Sequence, residues 1–389
     1  GGPEPTCMDA ADCDDDGQLE LVVGDGEGDL FVYDAASHDL EWKRTGQMVR
    51  DAHGLVIADL EGDGSTELVV GTGYKTDQGW GTLYIWAGDG SHEGPLRTFG
   101  PFDSRLRGIA VADLDADGEN EMVFGSGVNL GDIEGQGYVR VVDAVTGELE
   151  WMSADIGGDA QGLVVYDTDL DERPNIVVGS GYRYREGHVS VYQYDPASGT
   201  YEEQWSTGNI GPKAWGLDVG DADGDGSVEV VVGNQPGHIR VLDASSGTVE
   251  WESELLGTDI FGVRLADVDG DGRTDIVASQ GGYQGKGDFT SGYSDPHIYV
   301  IDGGTHEFKY VLGERDLGGT LMTGLLLLLV LVALIQVSAL SKDRKAAREA
   351  ALAAEEAARR EMRGPGGGSD EYRVVAPGWG VDLVDGEDG

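Results

Sequence analysis

Acidic side chains recur in this chain at alternate positions around a glycine. The clearest stretch is Asp221-Ala222-Asp223-Gly224-Asp225-Gly226-Ser227-Val228-Glu229. If the backbone curls around a point, oxygens at positions one, three and five converge. Glycine at position six permits the sharp turn. A backbone carbonyl at seven faces inward, and the acid at nine closes the shell. Hard oxygen ligands in this number suit Ca²⁺ better than zinc or copper. Mg²⁺ is less well served, because it wants a tighter octahedron and keeps more of its waters.

The motif is repeated. Copies begin at Asp12, Asp59, Asp113, Asp167, Asp221 and Asp267, separated by 47, 54, 54, 54 and 46 residues. A fixed period of that size marks a repeat architecture. Loop one offers Asp12, Asp14, Asp16 and Glu20; loop two Asp59, Glu61, Asp63 and Glu67; loop three Asp113, Asp115, Asp117 and Glu121. Loop five offers Asp221, Asp223, Asp225 and Glu229, and loop six Asp267, Asp269, Asp271 and Asp275. Loop four keeps Asp167, Asp169 and Asp171, but Glu172 replaces the glycine and Asn175 the closing acid. The expectation is about five Ca²⁺ sites, with loop four weak or empty. An EF-hand is disfavoured, because the closing acid stands at nine rather than twelve and strands flank the loop.

The elements that must position these loops are short strands. A strand such as Gly108-Ile-Ala-Val-Ala-Asp113 runs into each loop, and a second such as Leu68-Val-Val-Gly71 leaves it. A third strand ends in an acidic turn (Val139-Arg-Val-Val-Asp143, Ile239-Arg-Val-Leu-Asp243). A fourth follows a Thr-Gly or Ser-Gly turn and carries Trp151 or Trp251, with Trp42 and Trp205 in related places. Four hairpin-linked strands per repeat predict an all-β chain, a β-propeller of four-stranded blades. Six blades fill residues 5 to about 313, and a seventh is expected only if the chain is truncated at its N-terminus. Neighbouring blades must stack to bury both faces, and the strand-four tryptophans are large enough to bridge them. From the end of strand two to the end of strand three, blades one and five take 10 residues and blade three takes 18. Length variation therefore gathers on the face opposite the acidic loops, where recognition is expected.

The propeller domain is expected over 1–314, followed by a linker at 315–320. Residues Leu321–Leu340 then run for 20 positions without a charge, enough to cross a hydrocarbon core of about 30 Å. Lys342, Arg344, Lys345 and Arg348 follow at once and mark a cytoplasmic end. The reading is a single transmembrane α-helix with the propeller outside the cell membrane, a short charged cytoplasmic helix over 341–363, and a Gly-rich, acidic, disordered tail over 364–389. Trp379 in that tail is a candidate anchor for a cytoplasmic partner.

With 73 acidic against 26 Lys and Arg residues, the formal charge is −47. Nucleic acid is an unlikely partner, because phosphate binding needs a basic face. Cys7 and Cys13 lie too far apart on one straight extended segment for a disulfide.

The acidic loop with its trailing Val-Val-Gly resembles the FG-GAP (VCBS-type) repeat of integrin α-subunit propellers and microbial surface proteins. Asp143-Ala-Val-Thr-Gly-Glu-Leu-Glu-Trp151 and Asp243-Ala-Ser-Ser-Gly-Thr-Val-Glu-Trp251 are also similar to the Trp-docking repeat of quinoprotein-like propellers. The first resemblance implies Ca²⁺ in hairpins on one face and ligand binding on the other. It points to an adhesion or binding module for an extracellular protein or glycan. Tyr74, Trp80, Tyr182, Arg183, Tyr184, Arg185, Tyr283, Phe289 and Tyr293, on the long loops, are the candidate ligand face. The alternatives are an extracytoplasmic enzyme, such as a polysaccharide lyase or quinone-dependent dehydrogenase, and a structural subunit of a membrane assembly. No histidine of the seven falls in a recognisable nucleophile or zinc motif, so catalysis is not expected.

Overall fold

The computed structural model describes residues 4–49, 51–73, 80–102, 104–127, 136–181, 186–235, 237–257, 259–281 and 297–313. They form 24 strands in six antiparallel sheets of four. Each blade uses four consecutive strands. Blade one is β1 (Pro5–Ala11), β2 (Glu20–Asp25), β3 (Leu30–Asp34) and β4 (Leu40–Arg44). Blade two runs from β5 (Ala52–Ala58) to β8 (Arg97–Phe102), blade three from β9 (Arg105–Ala112) to β12 (Leu149–Met152), and blade four from β13 (Gly162–Tyr166) to β16 (Thr200–Ser206). Blade five runs from β17 (Gly216–Gly220) to β20 (Val249–Glu252), and blade six from β21 (Ile260–Ala266) to β24 (Phe308–Gly313). First strands of consecutive blades pack on one another, so they line the axis. Among the described residues no helix is long and apolar enough to cross a membrane. The predicted span Leu321–Leu340, the charged helix and the tail lie outside the described residues.

Five apolar clusters each bridge two consecutive blades. One joins Val22, Leu30 and Val32 of blade one to Leu68, Val70 and Trp86 of blade two. The central strands of blades two to five, β6, β10, β14 and β18, are buried on both faces because each is sandwiched. The strand-four aromatics do the bridging. Trp42 lies against Gly90, Phe99 against Gly147 and Trp205 against Gly247, so a side chain at any of these glycines would strike the ring. Trp205 also donates from Nε1 to the Ala244 carbonyl at 2.8 Å. Trp251 stacks on His306 with centroids 4.5 Å apart. Buried ion pairs add further ties: Arg105 with Asp159 across blades three and four, and Lys213 with Asp259 at 2.6 Å across blades five and six.

The seam between blades six and one is different. Among the described residues, the sixth cluster (Val277, Ile298 and Val300, with Val268 and Leu312) draws on blade six alone. Tyr310, paired with Val300 where other blades carry the docking tryptophan, stays 53% exposed. In blade one, Leu21, Val23, Phe31 and Tyr33 are only half-buried, alternating with the buried side that faces blade two. The positive charge of Arg264 in blade six favours the ionised form of Asp9 in blade one. Both cysteines are free.

Candidate metal centres

Each acidic loop connects the first two strands of its blade and is held by the same three hydrogen bonds. The carboxylate at position one accepts from the backbone N–H at position six: Gly17 to Asp12 at 3.1 Å, Gly64 to Asp59 at 2.8 Å and Gly226 to Asp221 at 3.2 Å. The carboxylate at five accepts from the N–H at seven, as in Ser65 to Asp63 at 2.8 Å and Glu119 to Asp117 at 2.8 Å. The acid at nine reaches back to the N–H at two: Cys13 to Glu20 at 2.7 Å, Leu60 to Glu67 at 3.0 Å, Leu114 to Glu121 at 2.6 Å, Ala222 to Glu229 at 2.7 Å and Val268 to Asp275 at 3.3 Å. Asn175 makes the same bond to Thr168 at 2.9 Å, which explains how loop four keeps its shape without the acid.

Position six has a positive φ in every loop, which the glycine signature anticipates. Position four does too: Gly62, Gly224 and Gly270 mark it in three loops, and Asp15, Ala116 and Leu170 take φ of 68°, 64° and 58° in the others. In loop four Glu172 sits at φ 71° where the other loops have glycine.

Acid oxygens lie within 4.8 Å of one another in five loops: Asp12, Asp14 and Glu20; Asp113, Asp115 and Glu121; Asp167, Asp169 and Asp171; Asp221, Asp223 and Asp225; Asp267, Asp269 and Asp271. Among the described residues loop two forms no such group, because Glu61 turns to Arg97 at 2.6 Å. The position-nine acids are buried, and burial pushes Glu20 up to about 7, Glu67 to about 7 and Glu121 to about 8. In loop one, Asp12 Oδ1 and Glu20 Oε1 are buried with no hydrogen-bond partner. Orphaned acceptors beside converging carboxylates are what a bound cation would satisfy. The donor set of loop one therefore fits Ca²⁺.

Strand four contributes residues that the motif does not reveal. It carries a β-bulge in five blades, and the bulged residue precedes the aromatic: Glu41, Glu150, Gln204, Glu250 and Lys309. A bulge re-aims its side chain. Glu41 is raised by burial and then by Asp14, Glu150 by burial and Asp115, and Glu250 by burial, Asp243 and Asp223. By the shared bulge they hold the place on strand four from which Lys309 reaches loop six in its own blade. The only sequence signal was the residue before the tryptophan. Of the candidate ligand-face residues, Trp80 is described and 63% exposed. Tyr74, Tyr182, Arg183, Tyr184, Arg185, Tyr283, Phe289 and Tyr293 lie outside the described residues.

The FG-GAP-like repeat model matches residues 59–124, 167–232 and 223–278, which take in loops two to six. Six four-stranded blades built on these repeats support an FG-GAP propeller. No curated protein matches it. Among solved structures it is similar to BBS1N in complex with ARL6DN, with 13% identity over 81% of this chain and 83% of that one, TM-score 0.54. It is also similar to the computationally designed Ika8 protein, with 16% identity over 81% and 89%, TM-score 0.48. The Bacillus licheniformis rhamnogalacturonan lyase PL11 aligns with 16% identity over 77% and 60%, TM-score 0.48. At these identities the likeness is one of fold.

Proposed function

We propose that the chain is a Ca²⁺-stiffened propeller at the cell surface, anchored by Leu321–Leu340, whose variable face binds an extracellular protein or glycan. The observation that carries the calcium reading is the pair of buried, unpartnered oxygens Asp12 Oδ1 and Glu20 Oε1 inside a group of converging acids. Carboxylates this close repel one another unless a cation or protons offset them. The metal's place is structural. It would tie the turn between the first two strands of a blade.

The ligand reading rests on the asymmetry of the faces. One end of the ring repeats the same loop six times. The other carries connections of unequal length, with Trp80 exposed at the start of β7 (Gly81–Ala87). A rigid ring with one irregular end suits recognition. The proposed orientation follows the basic cluster after residue 340, with the tail free to meet a cytoplasmic partner.

The test is thermal unfolding of the full chain with Ca²⁺, with Mg²⁺ and with chelator. A cation that binds only the folded form must raise the midpoint. A midpoint indifferent to Ca²⁺ sinks the calcium reading. Screening glycans and surface proteins with wild type and Trp80→Ala tests the ligand face, and equal retention of a ligand by both proteins rejects Trp80 as an anchor.

A further inference from the structure

The six acidic loops do not present the same charge to a cation. Loops one, three and five each carry four acids, and the bulged residue of strand four in the same blade, Glu41, Glu150 or Glu250, adds a fifth. Among the described residues, no basic side chain forms an ion pair with any of them. The other three loops each hold a basic group.

Blade six shows this best. The Lys309 ammonium lies 3.1 Å from Asp269, 3.2 Å from Asp271 and 2.8 Å from Asp275, with Asp302 at 3.5 Å. Three of these acids are the intended ligands at positions three, five and nine. The ammonium donates to Asp269 and Asp271 and forms an ion pair with Asp275. Lys309 reaches them because it is the bulged residue of β24, in the place held by Glu41, Glu150 and Glu250 elsewhere. One lysine thus changes the local formal charge by two relative to those glutamates.

Blade two reaches the same end with different residues. Arg97 of β8 pairs with Glu61, the position-three acid, and its charge also bears on Glu67. In blade four, Arg173 at position seven donates from Nε to Asp171 at 3.0 Å and forms a second bond from Nη2. Gln193 occupies the other Asp171 oxygen at 3.1 Å, and the closing residue is the neutral Asn175. A divalent ion would have to displace these groups before it met its ligands.

We propose that the propeller takes divalent cations in blades one, three and five, and that blades two, four and six carry their own cation in its place, Arg97, Arg173 and Lys309. This rests on the calcium reading above and narrows it to alternate blades.

The experiment is a count of bound Ca²⁺ per full-length chain, by isothermal titration and by elemental analysis after buffer exchange. Three ions per chain are expected. Four or more overturn the alternation while leaving the calcium reading standing, one or two overturn it as well, and none overturns both. Lys309→Glu recreates the acid of the odd blades and should raise the count to four; a count still at three rejects Lys309 as the resident cation. Lys309→Met, which removes the charge without adding repulsion, guards against a variant that fails to fold. It should likewise admit a fourth ion, and an unchanged count in the folded protein again rejects the assignment.

Discussion

The backbone N–H of Leu114 donates to Oε2 of Glu121 at 2.6 Å, so the acid that closes loop three is also the acceptor that holds its second residue. Two roles therefore meet in one buried carboxylate. One oxygen is structural in all six loops, and in loop three this bond leaves the other for the proposed cation.

The two roles separate by substitution. Glu121→Gln keeps an oxygen for Leu114, as Asn175 does for Thr168, and removes the charge. It should leave chelated protein as stable as wild type or more so, and reduce the stabilisation gained on adding Ca²⁺. Glu121→Ala leaves a buried N–H without a partner and should cost about 1–3 kcal/mol even in chelator. Urea denaturation with and without Ca²⁺ reads both. A Gln variant that loses as much as the Ala variant in chelator would show that the charge, not the hydrogen bond, holds the loop.

Asp9 gives a pH dependence away from the loops. Its carboxylate accepts from Ile57 of blade two at 3.0 Å and from Ala10 at 2.9 Å. Burial raises it from 3.8 to about 6, outweighing these bonds and Arg264. With the folded value raised, the folded state binds the proton more tightly than the unfolded one. That contribution is fully present below pH 3.8 and is lost as pH rises through 6. Asp9→Asn removes the titration and should gain on wild type between pH 4 and 7, by at most ~3 kcal/mol. Denaturation midpoints of the two proteins at both pH values test this, and a constant difference refutes it.

Glu172 is held at φ 71°, a region that disfavours any residue with a Cβ. Its backbone N–H still donates to Asp167 at 2.9 Å, a bond that glycine would keep. Glu172→Gly should therefore stabilise the chain by about 1 kcal/mol in chelator. An unchanged or lowered denaturation midpoint would mean that the side chain makes up for the strain.

Much of this was legible in the residues themselves. Six phased acidic runs, five of them Asp-x-Asp, mark where the loops fall, and alternating β-branched segments mark the strands. The Thr-Gly and Ser-Gly turns mark the last hairpin of the blades that carry them. What escaped was set by register and by contacts across blades. Lys309 reads as an ordinary surface lysine until the bulge beside Val300 turns it toward Asp275. Arg97 stands where other blades carry tryptophan, and Phe99 takes over the docking on Gly147. The left-handed backbone at Ala116 is signalled only by the glycines at the same place in loops two, five and six, and a hydrogen bond from Gly118 to Asp113 at 3.1 Å secures the turn.

No strand of the first blade is lent to the last, because every sheet is built from four neighbouring segments of chain. The ring is therefore like a split washer, its consecutive blades joined face to face and, among the described residues, no apolar cluster spanning blades six and one. Its mechanics should follow from this. Nearest-neighbour coupling passes through five full interfaces and stops, so the end blades have one strong neighbour each and the middle blades have two. Fraying should start at β1 and β24 and work inward, and exchange of backbone hydrogens should be fastest in those two blades. The cation proposed for blade one would then clamp the washer beside its cut.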